Sequence, residues 1–64
     1  MKVYVEKENK LLELDKSCTG KELLEELGIK ENTVLIIKND EVVLSNETLS
    51  EKDEIKILSV ISGG

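Results

Sequence analysis

Polar and apolar residues alternate over Lys2-Val3-Tyr4-Val5-Glu6. A period of two in β-forming residue types predicts a strand with Val3 and Val5 inward. The polar stretch Lys7-Glu8-Asn9-Lys10 predicts a turn, and Leu11-Leu12-Glu13-Leu14-Asp15 a returning strand with Leu12 and Leu14 inward. The period then changes. Thr19-Gly20-Lys21-Glu22 matches a capping box, in which the Thr19 hydroxyl accepts from the Glu22 N–H and the Glu22 side chain reaches back. Leu23, Leu24 and Leu27 fall on one face of the helix that follows, Glu25 and Glu26 point to water, and Gly28 stands where a left-handed cap belongs. A helix this short is marginal alone and needs a sheet beneath its leucines.

Thr33-Val34-Leu35-Ile36-Ile37-Lys38 is a third strand, apolar almost throughout; Asn39-Asp40-Glu41 turns the chain, and Val42-Val43-Leu44 is a fourth strand. Residues 45–54 form a polar connection whose one apolar residue, Leu49, is expected to tuck under the domain. The last strand runs from Ile55 to Ile61, and Ser62-Gly63-Gly64 follows. The order β-β-α-β-β-β predicts an α+β domain with one helix on a mixed sheet. Its first and last strands are expected to lie side by side and parallel at the centre.

A chain of 64 residues buries only about 60% of the surface it exposes when unfolded, so the domain stands on a small core. With a single Cys and no His, neither an intramolecular disulfide nor a Cys/His zinc site can staple it. The core is aliphatic, and Tyr4 is the one aromatic residue. Fourteen acidic residues against nine basic ones give a net charge of −5. That balance argues against nucleic acid, which needs a basic face and stacking aromatics. No apolar run nears the roughly 20 residues of a membrane span, and Met1 to Lys10 carries no signal-peptide pattern. The expectation is a soluble, cytoplasmic protein that binds no membrane.

Candidate catalytic groups are few. Without His, no Ser-His or Cys-His pair can form, and no Gly-rich phosphate loop occurs. The pairs Glu25/Glu26 and Asp53/Glu54 fall on surface elements, where both carboxylates stay solvated. Cys18 lies in the loop before the helix, where a thiol can have a lowered pKa, but the reading adopted is a partly buried small residue. The chain is therefore expected not to be an enzyme and to hold no cofactor or metal.

The remaining feature is the tail. Gly63 and Gly64 lack a Cβ and can enter a channel too narrow for other residues. Three extended residues reach about 10 Å, enough to deliver a terminal carboxylate into another protein's active site. In this context the segments Leu35-Ile36-Ile37-Lys38-Asn39-Asp40-Glu41-Val42-Val43, Leu49…Asp53-Glu54-Ile55-Lys56-Ile57 and Val60-Ile61-Ser62-Gly63-Gly64 resemble the ThiS/MoaD group of ubiquitin-like sulfur carriers. The length is closer to ThiS. The resemblance spans the whole chain and departs from the usual pattern at two turns: Glu8-Asn9-Lys10 where Asn-Gly is common, and Glu51-Lys52-Asp53-Glu54 without the usual Gly-Asp.

The resemblance implies a β-grasp domain over residues 1–61 and a flexible diglycine tail over 62–64. It implies that Gly64 is adenylated by a ubiquitin-activating-like enzyme of the ThiF/MoeB type, which uses ATP, and then carries sulfur as a thiocarboxylate. Gly63 and Ser62 form the neck. The acceptor implied is thiazole synthase in thiamine biosynthesis. The alternatives are a molybdopterin synthase small subunit and a protein modifier joined through Gly64 to target lysines. A monomer suits a tail that must reach into partners. On the last strand, Ile55 and Ile57 facing the helix would turn Leu58 and Val60 to the open side. Beside the tail, with Ile61, they are the expected docking residues for the activating enzyme, with surrounding acidic residues steering it.

Overall fold

The computed structural model describes residues 1–60. Strands β1 (Lys2–Val5) and β2 (Lys10–Glu13) pair antiparallel, setting Val3 opposite Leu12 and Tyr4 opposite Leu11. The turn between them is a short 3-10 segment, Glu6–Glu8, closed by Asn9 at φ 49°. Asparagine tolerates this left-handed conformation better than most side chains, which explains how the hairpin closes without glycine. The Asn9 N–H donates to the Glu6 carbonyl at 3.0 Å, and its side-chain oxygen accepts from the Tyr4 hydroxyl at 2.7 Å.

After β3 (Cys18–Thr19) comes the helix α1 (Gly20–Leu27). Its capping box forms as expected: the Glu22 N–H donates to Thr19 Oγ1 at 3.2 Å, and Glu22 Oε1 accepts from the Thr19 N–H at 2.9 Å. The next free N–H groups of the first turn are met by the chain crossing beneath it. Gly20 N–H donates to the Glu47 carbonyl at 3.0 Å and Lys21 N–H to the Ser45 carbonyl at 2.7 Å. That crossing is close, and a Cβ on Gly20 would lie 3.0 Å from the Ser45 oxygen. Gly28 ends the helix at φ 72°, with the Ile29 N–H returning to the Leu24 carbonyl at 2.9 Å.

A 3-10 turn over Glu31–Thr33 leads into β4 (Val34–Lys38), then β5 (Glu41–Val43), β6 (Thr48–Leu49) and β7 (Glu54–Ser59). The five-stranded sheet has the order β2-β1-β7-β4-β5; β1 and β7 run parallel, and the other pairs are antiparallel. The central parallel pair and the single helix are as the pattern predicts. This is the ubiquitin-like β-grasp arrangement.

Several boundaries differ from the pattern: β2 begins at Lys10 and ends at Glu13, leaving Leu14 and Asp15 outside it, and the last strand begins one residue early, at Glu54. The β4–β5 loop is the two-residue Asn39-Asp40 turn with φ 48° and 69°, a conformation matched to hairpin twist, so pairing resumes at Glu41 and Leu44 falls outside the strand. Cys18, expected in a loop, pairs with Leu49, and Thr19 with Thr48, in a separate two-stranded sheet. Regular pairing of the last strand ends at Ser59, although the Val60 N–H still donates to the Thr33 carbonyl at 3.0 Å. Ile61 lies outside the described residues, so the proposed 1–61 and 62–64 division does too.

The core lies between α1 and one face of the sheet. Val3, Val5, Ile36, Ile55 and Ile57 from the strands meet Leu23 and Leu24 from the helix, with Met1 and Leu49 closing the edges. Leu12, Leu14 and Leu27 pack against this cluster, partly buried. Each fully buried aliphatic side chain contributes on the order of 1.5–3 kcal/mol. Among the described residues no buried side-chain N or O atom lacks a partner.

Candidate functional site

A sheet with one helix has one covered face and one bare face. Strand pairing assigns residues to the bare face directly, because residues opposite each other share a side. One row across it reads Leu11, Tyr4, Lys56, Ile37 and Val42. The next row toward the end of β7 sets Leu58 opposite Leu35, and Val60 follows. Behind the first row lie Glu13, Lys2 and Glu54, all charged and exposed. The face is thus apolar on the side where the chain leaves β7 and charged on the other.

This apolar surface is open to solvent: Leu11 is 66% exposed, Val42 64%, Val60 50% and Leu35 41%. Leu58 and Ile37 are half-buried by their neighbours. Scattered exposed apolar residues need no explanation, whereas a contiguous set on one face is a candidate contact surface. Leu58 and Val60, singled out from the sequence, belong to this set. Leu11, Tyr4, Leu35, Ile37 and Val42 were missed. For Leu35 and Ile37 the signal is present in β4, which is apolar on both faces although a single helix can cover only one. The other site residues inferred from the sequence, Ile61, Ser62, Gly63 and Gly64, lie outside the described residues.

On the covered side of the sheet, an open groove of about 520 Å³ lies beside Ser59, between the helix end and the first turn. Its floor is Val5, Leu27, Ile29, Val34 and Ile57.

The carboxylate pairs form no acid–base couple. Glu25 and Glu26 are both exposed, and Glu26 pairs with Lys16 at 2.7 Å. Asp53 accepts from the Ser50 N–H at 2.7 Å and from the Asn39 side-chain amide at 3.0 Å. These bonds, the Ser50 one foremost, with Lys38 adding to them, hold its carboxyl below the usual carboxylate range. Asp53 is thus a fixed anion joining the β4–β5 turn to the approach to β7. The Asn39 oxygen completes the join by accepting from the Glu54 N–H at 3.0 Å. Lys38 lies 3.2 Å from Glu47 and 3.7 Å from Asp53. Cys18 is half-buried, and burial pushes its thiol up, opposite to the shift an activated nucleophile needs. Among the described residues no group of three or more His, Cys, Asp or Glu side chains could hold a metal ion, and no helix is long and apolar enough to cross a membrane.

The chain is 35% identical over 57 residues to the sulfur carrier protein TtuB of Thermus thermophilus, covering 89% of this chain and 88% of that one. It is 42% identical over 43 residues to an uncharacterized protein of Archaeoglobus fulgidus, covering 67% of this chain and 63% of that protein. The ThiS family model matches residues 2–64, from the first strand through both final glycines. With that match spanning the β-grasp sheet, its bare apolar face and the diglycine, the chain belongs to the ThiS family.

Proposed function

We propose that this protein is a sulfur carrier whose Gly64 is adenylated by a ThiF/MoeB-type activating enzyme and converted to a thiocarboxylate. The observation that carries the reading is the family match, which runs through Gly63 and Gly64, together with 88% coverage of a relative that is a sulfur carrier protein. The protein is then a substrate for other enzymes, cytoplasmic and monomeric, with no bound cofactor of its own.

The chemistry follows from the terminal group. A C-terminal carboxyl has a pKa near 3.3–3.7 and at pH 7 is an anion that resists nucleophiles. Its oxygen attacks the α-phosphorus of ATP on the activating enzyme, and pyrophosphate leaves. The terminal sulfur of a persulfide then attacks the acyl carbon and AMP leaves. Cleavage of the S–S bond by a thiol releases the thiocarboxylate. The sulfur passes to thiazole synthase for thiamine biosynthesis. Leu58 and Val60, with Ile61, anchor the activating enzyme while Ser62 and Gly63 form the neck leading to its active site.

The test is intact mass after incubation with ATP, a persulfide donor and the activating enzyme of the same organism. A gain equal to sulfur replacing oxygen, lost on deletion of Gly64, is expected. Absence of both adenylate and thiocarboxylate with an enzyme active on another carrier would overturn the reading. A ladder of higher-mass conjugates dependent on Gly64 would identify a protein modifier instead. For the docking residues, Leu58→Glu is expected to impair adenylation; unchanged adenylation would remove them from the interface.

A further inference from the structure

The bare face carries one charge within its apolar part. Lys56 on β7 lies directly between Tyr4 on β1 and Ile37 on β4, with Leu11 and Val42 next outward on either side. Leu58 follows it on the same side of the strand, opposite Leu35. Apolar or aromatic side chains therefore bound Lys56 on three sides, and on the fourth is Glu54, which stands opposite Lys2. None of the ion pairs among the described residues involves Lys56; they join Lys16 to Glu26 and Lys38 to Glu47 and Asp53. Lys56 is exposed to solvent in this apolar setting.

A partner covering this face strips water from the Lys56 ammonium. A charge desolvated at the centre of an interface without a counter-charge weakens binding, whereas one matched by a carboxylate helps to fix register and partner choice. The protein's net charge of −5 makes the contrast sharper. A partner steered by the acidic periphery presents basic groups at its rim, but at the centre the sign is reversed. We propose that Lys56 is a specificity residue: the activating enzyme meets this face with an apolar patch carrying a carboxylate that pairs with the Lys56 ammonium. This rests on the proposed function and names the chemistry of the partner surface. It also separates Lys56 from Leu58 and Val60, which contribute burial alone.

The experiment is ATP–pyrophosphate exchange by the activating enzyme of the same organism, with the full-length carrier varied in concentration. The variants are Lys56→Glu, Lys56→Met and Leu58→Glu, each first shown by thermal unfolding to keep the wild-type midpoint within a few degrees. Lys56→Glu is expected to raise the half-saturating carrier concentration by about tenfold or more, through like-charge apposition in a dry contact. Lys56→Met keeps the apolar stem but leaves the opposing carboxylate unpaired, so a smaller loss of roughly threefold to tenfold is expected. If Lys56→Glu stays within about twofold of wild type while Leu58→Glu is impaired, Lys56 is only a solvated charge that keeps the face soluble, and the inference falls while the docking face stands. If Leu58→Glu is also unimpaired, the docking face falls with it. No exchange with the wild-type carrier would overturn the functional reading itself.

Discussion

The covered face of the five-stranded sheet and the apolar part of its bare face carry the same aliphatic residue types and have opposite fates. On the helix side, Val3, Ile55 and Ile57 are 0%, 2% and 1% exposed, closed over by Leu23 and Leu24. On the bare side Leu11, Leu35, Val42 and Val60 keep between 41% and 66% of their surface in water. Aliphatic content alone therefore does not say whether a residue serves stability or contact. The position of the single helix decides it. Apolar area hidden from water in the folded monomer stabilises the fold. The same area left wet contributes only when a partner covers it.

The sharpest way to break this comparison is one truncation on each face. Ile57→Ala opens a cavity beneath α1 at the central strand and is expected to cost about 2–5 kcal/mol, a large part of the stability of so small a domain. Val42→Ala on the bare face removes solvent-facing atoms and is expected to stay within about 0.5 kcal/mol. Urea unfolding of both variants reads the difference. Equal losses would mean that the bare face is also packed in solution.

The helix can be displaced without touching its leucines. A Cβ at Gly20 would lie 2.7 Å from the Ile36 side chain and 3.0 and 3.1 Å from the backbone oxygen and Cα of Ser45. The Ile36 methyl can swing away, but the Ser45 backbone is tied to Lys21 by a 2.7 Å bond. Gly20→Ala is expected to cost roughly 1–3 kcal/mol despite its higher helix propensity. Neutral or stabilising behaviour in thermal unfolding would show that the crossing chain gives way freely. A smaller loss, about 1 kcal/mol, is expected for Thr19→Ala, which removes the N-cap acceptor of Glu22 N–H. Thr19→Ser should recover most of it.

The hairpin, capping box, Gly28 cap, inward Val and Ile sets and buried Leu49 were all legible in the sequence because each rests on local periodicity or a fixed offset. The β3–β6 pair was not, since two-residue strands have no period to detect and Cys18 meets Leu49 only through the tertiary crossing. The Asn39-Asp40 turn was blurred by one residue because Glu41 is polar yet pairs with Lys38. The apolar part of the bare face, the candidate site, was half legible. Leu58 and Val60 followed from alternation along one strand. Leu11, Tyr4 and Val42 join them only once strand order is known, and strand order is a property of the whole sheet.

The smallest expected effect concerns the rim of the sheet rather than either face. Asp53 bridges Ser50 and Asn39, and its carboxyl is held below the ordinary value of about 3.9 by those hydrogen bonds, with Lys38 nearby adding to the shift. A carboxyl whose pKa is lower folded than unfolded binds its proton more readily in the unfolded chain. Its contribution is therefore complete above about pH 4 and is lost as pH falls through the folded value. Asp53→Asn keeps an acceptor for the Ser50 N–H but removes the charge. It should flatten the acid limb of the stability curve below about pH 4 and lower the midpoint slightly at pH 7. The loop that Asp53 fixes carries no part of the bare apolar face, so activation by the partner enzyme at pH 7 should be unchanged. An acid limb identical to wild type would move the pH dependence to the other carboxylates. Impaired activation at neutral pH with an intact fold would extend the contact surface from the apolar part of the bare face to its charged end.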